Sequence, residues 1–317
     1  MAEQPRTRSR QKKKKKKKSG LKIFSVIILV LILGAGGYAY YLWHTVQSTF
    51  DKTHAPLDHE VSDKRSSKAS LENQDPISIL LLGVDEREGD RGRSDSLILM
   101  TVNPKKHSMK MVSIPRDTRT EIVGKGTTDK INHAYAFGGV NMAVDTVENF
   151  LDVPVDYYIE VNMESFKDIV DAVGGVTVDN DLDFNYDGHV FPKGNISMNG
   201  EEALAYARMR KKDPRGDFGR QIRQRQVIQA VINEGASIKS LANYDDILDT
   251  VSKNVKTNLT FNDMQDIQAN YKDARKNIDQ IKIDGDNERL NGIYYYSVPD
   301  TERTAISSEL KKHLNID

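Results

Sequence analysis

ISILLLGVDEREGDRGRSDSLILMTVNPKKHSMKMVSIPRD, from Ile77 to Asp117, holds three apolar runs of strand length. Ile77–Val84 is stopped by Gly83 and acids, and Ser96–Val102 and Met109–Ile114 flank the turn residues Asn103-Pro104. Short apolar runs bounded by turn signals suit buried strands. Downstream, Gly138–Leu151 has helical spacing through Val140, Ala143, Val144, Val147 and Leu151. Val155–Val161 reads as a strand, Glu164–Val173 as an amphipathic helix ended by Gly174-Gly175, and Val176–Val178 as a strand again. Helices are expected over 200–207, 219–235, 245–255, 262–274 and 302–314, with strands over 278–283 and 293–298. Strands mixed with helices predict an α/β domain, a central mixed sheet flanked by helices.

Upstream of Ile77 the composition changes. Ile23–Trp43, IFSVIILVLILGAGGYAYYLW, has 21 residues and no charge. At about 1.5 Å per residue it spans a hydrocarbon core of about 30 Å. Residues 1–22 carry 11 Lys/Arg and one acid, so the positive-inside rule leaves the N-terminus in the cytoplasm and all after Trp43 outside. A cleaved signal peptide would have a shorter apolar region and a small-residue cleavage site. The expected order is a basic cytoplasmic tail (1–22), a single N-terminal transmembrane helix (23–43), an extracellular linker (44–76) and a folded body (77–317). Apolar residues are sparse over 51–76, which therefore reads as a tether too poor in burial to offset its ordering entropy.

The 317 residues hold 46 Lys+Arg and 46 Asp+Glu, for zero net charge. That neutrality joins a tip of +10 to a remainder of 35 basic and 45 acidic residues. Zero cysteines exclude disulfides, thiol catalysis and Cys-ligated metals. No Walker A, GxSxG or HExxH pattern occurs, and the seven His lack metal-ligand spacing.

Against an acidic body, clustered arginine is informative. Ser113-Ile-Pro-Arg-Asp117 carries Arg116 off the end of a strand, where residues in α/β sheets face a ligand crevice. The stretch ARMRKKDPRGDFGRQIRQRQ, 207–226, packs six Arg and two Lys into 20 residues. Pro214 and Gly216 divide it into helix end, turn and new helix. Arg208 and Arg210 share a side if that end is extended. Arg220, Arg223 and Gln224 are neighbours on the next helix. Converging guanidinium forks match phosphate oxygens, although a solvated basic face has the same spacing. A basic helix on an acidic external body is a poor footprint for nucleic acid, and none is expected as a partner. Asp85 and Asp95 flank adjacent strand ends; carboxylates there serve Mg²⁺ sites and turn capping alike.

LLLGVD, RSDS, SIPRD, INHAYAFGG and ARMRKKDPRGDFGRQIRQRQ, in this order after a basic tail and one span, resemble the LytR–CpsA–Psr family of Gram-positive cell-wall enzymes. The resemblance implies a phosphotransferase that moves an anionic glycopolymer, teichoic acid or capsule, from a polyprenyl-pyrophosphate carrier in the membrane lipid to peptidoglycan. It implies pyrophosphate ligation by Arg93, Arg116, Arg208, Arg210, Arg220 and Gln224. Catalytic weight falls on Arg116, Arg208 and Arg220, with Asp217 supporting the arginines and Asp85 and Asp95 holding Mg²⁺ (or Mn²⁺). Asp117 and Asp217 are candidate general bases, and Asp85 is one only if it is not tied to metal. Two rivals are a polyprenyl-phosphate-binding regulatory protein without turnover and a lipid-carrier pyrophosphatase.

Overall fold

The three apolar runs are neighbouring strands in the computed structural model, which describes residues 54–85, 92–235 and 255–316. β1 (Ile77–Val84) pairs antiparallel with β2 (Ser94–Asn103), and β2 with β3 (Ser108–Ile114). Two short hairpin strands follow, β4 (Arg119–Ile122) and β5 (Thr127–Lys130). Helix α1 (His133–Leu151), broken at Gly139, returns the chain to β6 (Tyr157–Asn162), which runs parallel to β1. α2 (Met163–Ala172), β7 (Val176–Asn180), β8 (Phe184–Tyr186), β9 (His189–Phe191) and β10 (Gly194–Met198) come next. They lead into helices α3 (Gly200–Arg208) and α4 (Asp217–Gly235). β11 (Val255–Thr257), α5 (Phe261–Asn270), β12 (Ile278–Ile281), the hairpin β13 (Asp286–Leu290) and β14 (Ile293–Ser297), and α6 (Asp300–Leu314) complete the order. The main sheet has six strands ordered β11-β6-β1-β2-β3-β12, with β12 parallel to β3 and β11 antiparallel to β6. It is a mixed sheet, as expected.

Strand alternation sends successive side chains to opposite faces. Leu80, Leu82, Leu97, Leu99, Val112 and Ile114 meet α1 (Val144, Val147, Leu151) and α6 (Ile306, Leu310). Ile77, Ile79, Ile98, Met100, Met109 and Met111 face the other way, toward Leu259 and Tyr271 and the half-buried Ile228, Ile232, Met264 and Ile267. Each fully buried side chain of this size contributes about 1.5–3 kcal/mol. With both faces covered, the central strands read as unbroken apolar runs. α4 serves two cores, because Val227 and Ala230 pack with α2 and α3 while Ile228 and Ile232 turn to the sheet.

The linker expected over 44–76 is corrected for its described part. Residues 54–76 lie on the body as a strap: Ala69 and Leu71 are buried in the sheet's second core, and Ala55 and Leu57 pack against the first. Arg65 places Nε 2.8 Å from Asp156 Oδ1, Ala55 N–H donates to Thr257 O, and Tyr158 Oη donates to Ala55 O. Ordering here is offset by a few apolar anchors and one enclosed ion pair, not by overall apolar content. The tail and span read over 1–43 lie outside the described residues. Among the described residues no helix is long and apolar enough to cross a membrane.

Other boundaries moved as well. α1 starts five residues before the expected Gly138, with a short turn ahead of the break. The helix expected over 262–274 ends at Asn270 and tightens into a 3₁₀ turn over Lys272–Lys276. The helix expected over 245–255 lies outside the described residues except for Val255, which opens β11. The hairpin β8–β9 turns on Asp187-Gly188 and β13–β14 on Asn291-Gly292, all four at positive φ. Asp-Gly and Asn-Gly are the dipeptides such two-residue turns require, and they were the available signal for these polar strands.

Candidate active site

A bulge starts the site. Gly83 pairs with Ser96 and Val84 with Ser94, leaving Asp95 as an extra residue on β2. A Cβ on Gly83 would come within 2.9 Å of Ser96 Cβ, so only glycine lets the strands approach so closely there. Bulges re-aim side chains at strand ends, and this one sets Asp95 beside the end of β1, where Asp85 N–H donates to Arg93 O at 3.2 Å.

β3 delivers Arg116 through Pro115 to the same place. Arg116 Nη1 donates to Asp95 Oδ1 at 2.7 Å, and its Nε lies 3.8 Å from Asp117 Oδ2. Asp117 Oδ1 in turn accepts from Lys130 Nζ of β5 at 2.7 Å. From the opposite side, Asp217 opens α4 and pairs with Arg220 Nη2 at 2.7 Å. Gln221 Nε2 donates to Asp217 Oδ2 at 3.1 Å, and one turn later Gln224 Oε1 accepts from Ser96 Oγ at 3.2 Å. The first turns of α4 therefore lie over the bulge, with a helix N-terminus, itself an anion-favouring end, at the cluster.

Electrostatics separates the two central arginines. Burial works to lower the Arg116 pKa, but Asp95, Asp117 and Asp217 outweigh it and raise it above the ordinary arginine value. For Arg220 burial wins and the pKa falls, with Arg116 and Arg210 pushing the same way against Asp217 and Asp95. Among the described residues, the buried Nε–H groups of Arg116 and Arg220 both lack a hydrogen-bond partner. An unsatisfied buried donor costs about 1–3 kcal/mol, more when charged, so two at one mouth are what a site for an anion looks like.

α3 ends at Arg208, and buried Met209 continues in an extended conformation, with Arg208 and Arg210 exposed on either side of it. Arg210 is close enough to act electrostatically on Arg220 and on Tyr294. The geometry thus gathers Arg116, Arg210, Arg220, Gln224, Asp95, Asp117 and Asp217. Asp85 is half-buried at the same strand end; Arg93 and Arg208 are exposed, and their side chains make no ion pair among the described residues.

Arg223, counted among the converging cations by spacing, is not one. It is fully buried, donating to Asp213 Oδ2 and to the carbonyls of Tyr206 and Met209. Arg215 joins Asp213 to Asp181. This lock ties the loop after α3 to α4. Its signal was present: Asp213-Pro214-Arg215-Gly216 is turn chemistry, and Asp213 Oδ1 accepts from Arg215 N–H two residues on. Arg225 is also buried, bonded to Ser113 Oγ and Gln280 Oε1 rather than to a carboxylate. Lys130 was missed because β5 is too short and polar to register as a strand; its Nζ lies 5.9 Å from the ring centres of both Tyr294 and Tyr295.

Asp85 and Asp95 fit the Mg²⁺ role implied for them. They are hard oxygen donors at adjacent strand ends, and Arg116 engages only Oδ1 of Asp95. A Mg²⁺ ion held by one or two carboxylates completes its shell with water and substrate phosphates.

The LytR_cpsA_psr family matches residues 40–312. A Bacillus licheniformis protein named polyisoprenyl-teichoic acid–peptidoglycan teichoic acid transferase TagU is 60% identical over 280 residues, 88% of this chain and 91% of that protein. The crystal structure of B. subtilis TagU aligns with a TM-score of 0.63 at 56% identity, covering 76% of this chain and 97% of that one. TagT bound to LIIa-WTA aligns with a TM-score of 0.72 at 35% identity, covering 83% and 100%. With matches of this extent and a mixed α/β fold, the chain belongs to the LytR–CpsA–Psr family.

Proposed function

We propose that the protein attaches an anionic glycopolymer of the teichoic acid type to peptidoglycan, taking it from a polyprenyl-pyrophosphate carrier. The observation that carries this reading is the pair of buried Nε–H groups on Arg116 and Arg220, without a hydrogen-bond partner among the described residues, at the mouth of an arginine cluster. The curated relatives' names, teichoic acid transferase, point the same way.

In the reaction a sugar hydroxyl of peptidoglycan attacks the polymer-side phosphorus. A new P–O bond forms, the pyrophosphate P–O bond breaks, and polyprenyl phosphate leaves. The hydroxyl proton passes to a carboxylate at the mouth, where Asp117 and Asp217 stand. Arg116 and Arg220 grip the pyrophosphate oxygens, with Arg93, Arg208, Arg210 and Gln224 completing the hold. Their charge is fixed beforehand, so stabilising the developing negative charge requires little reorganisation. Asp217 orients Arg220, and Lys130 orients Asp117. Asp85 and Asp95 would hold Mg²⁺ (or Mn²⁺), which supplies neutralisation of the phosphate oxygens when bound.

The lipid tail runs between the sheet face that carries half-buried Leu81 and Ile159 and the helices that carry half-buried Ile228, Ile232, Met264 and Ile267. The chain is a single-pass membrane protein anchored by residues 23–43, with the catalytic body outside the cell. The test is incubation of the purified full chain with a lipid-linked donor, peptidoglycan oligomers and Mg²⁺. Polymer-modified peptidoglycan plus polyprenyl phosphate supports transfer. Release of free polymer phosphate would make the protein a pyrophosphatase, and retention of intact donor would make it a binding protein.

A further inference from the structure

A second cluster lies at the other end of the sheet. Asp145 and Glu148 are i, i+3 neighbours on α1, and His59 of the strap faces them. One ligand atom from each of the three lies within 4.8 Å of the others. Glu148 is buried, and its Oε1 accepts from Val155 N–H at 2.6 Å just before β6 begins. Asp85 and Asp95 sit where β1 ends, so the two places are separated by the length of that strand, roughly 20 Å.

Three features leave this cluster incomplete as it stands. Among the described residues His59 Nε2 is buried without a hydrogen-bond partner, and Nδ1 is 3.7 Å from Asp145 Oδ1, too long for a hydrogen bond. Neither carboxylate has a Lys or Arg partner among the described residues: the nearby Lys64 pairs with Asp152, and Lys68 with Glu60. The surroundings are acidic as well. Burial, together with Asp58 and Asp63, pushes the Asp145 carboxyl up, and burial does the same to Glu148 despite bonds from Ser62 and Val155. A buried Glu148 and a half-buried Asp145 whose sole cationic neighbour among the described residues is the His59 imidazole call for a cation.

We propose that His59, Asp145 and Glu148 bind a divalent transition-metal ion of the zinc type, which staples the strap to α1. One imidazole and two carboxylates suit Zn²⁺ better than Mg²⁺ or Ca²⁺, which prefer all-oxygen shells. Metal–ligand bonds of about 2.0–2.2 Å place opposed ligand atoms at most about 4.4 Å apart. Closing from 4.8 Å therefore asks only for small side-chain rotations. Ser62 and the Val155 N–H bond to the Glu148 carboxylate, as outer-shell partners do at metal sites.

The experiment uses the tag-free full chain in detergent, stripped with EDTA and titrated with Co²⁺ in excess Mg²⁺. The readouts are the visible absorption of nitrogen-ligated Co²⁺ and the bound Co²⁺ per chain. The expected result is one tightly held Co²⁺ per chain, displaced by Zn²⁺. It should be lost in His59→Gln and Glu148→Gln, retained in Asp95→Asn, and about tenfold weaker in Ser62→Ala. Metal-free His59→Gln should match metal-free wild type in circular dichroism, and only wild type should gain thermal stability on adding Zn²⁺. Undiminished Co²⁺ binding by His59→Gln, or no Co²⁺ held by wild type once Mg²⁺ is in excess, would overturn the proposal.

Discussion

The carboxylate of Asp213 and the guanidinium of Arg223 meet at 2.5 Å with neither side chain exposed to solvent, and Gly219 makes room for them. A Cβ at position 219 would fall 1.9 Å from Asp213 Oδ2. The end of α3 and the loop after it, which carry Arg208 and Arg210, are thereby fastened to the helix that carries Arg220, so a residue triad without exposed charge sets the spacing of these arginines.

Gly219→Ala should displace Asp213 and strand the Arg223 charge. Breaking one side of an enclosed ion pair costs about 3–5 kcal/mol, so a midpoint loss of that order is expected in denaturant unfolding. Asp213→Asn should behave similarly. Burial works to raise the Asp213 carboxyl, but bonds from Arg215 and Arg223 hold it well below the usual carboxylate range. Its contribution is therefore present above the unfolded pKa of about 4 and fades only as pH falls through the lower folded value. Wild-type stability at pH 5 should match that of Gly219→Ala if the lock is unimportant.

Arg116→Ala should lower transfer by about 10²–10³ while leaving the unfolding midpoint nearly unchanged, since its work is on the developing phosphate charge. Arg116→Lys should recover little, because an ammonium cannot reproduce the fork that meets both Asp95 and a phosphate. Transfer by the purified full chain is the measurement, and wild-type turnover by either variant would contradict the assignment.

Chelation of divalent ions should abolish transfer, with Mg²⁺ or Mn²⁺ restoring it. Asp95→Asn should lower it more than about 10²-fold, the equivalent of several kcal/mol of charge stabilisation. Asp95 also holds Arg116, so lipid-donor affinity should be measured alongside turnover.

His313 gives a pH dependence unrelated to catalysis. It is 4% exposed, with Nδ1 against Thr101 Oγ1 at 2.7 Å and Nε2 against Ser108 Oγ at 2.9 Å. Burial, with Lys110 and Lys106 nearby, pushes its pKa down to about 4, outweighing Asp279 and Glu309. The folded state thus favours the neutral ring. Its contribution is full above about pH 6.5 and is lost as pH falls toward 4, amounting to about 3 kcal/mol. Stability of His313→Gln, measured across this window by thermal unfolding, should fall less steeply than wild type.

Arg65→Ala should destabilise the body by about 3–5 kcal/mol, because it leaves the enclosed Asp156 carboxylate unpaired. A chain starting at residue 77 should lose more stability than one starting at residue 54. Limited proteolysis and denaturant unfolding of the two would show whether the strap belongs to the fold.

Strand and helix order, and the identity of most site residues, could be read along the chain because both depend on local spacing. Runs such as Ile77–Val84 bury on two faces and stay apolar throughout, while Arg116 follows a strand end and Arg220 and Gln224 share a helix face. What spacing could not decide was partnership. Arg223 and Arg220 look alike three residues apart, yet one closes a buried lock with Asp213 and the other faces the site, because the loop folds back over only one side of the helix. Lys130 and His59 sit in segments with no periodic pattern and reach Asp117 and Glu148 only through the packed chain. The strap over 54–76 reads as a tether since its anchors, Arg65, Ala69 and Leu71, are few. Sequence determined the α/β class and the clustering of arginine, both properties of neighbours along the chain. Tertiary structure decided which charges are buried together and which remain open to a ligand, because desolvation depends on what surrounds a side chain in space.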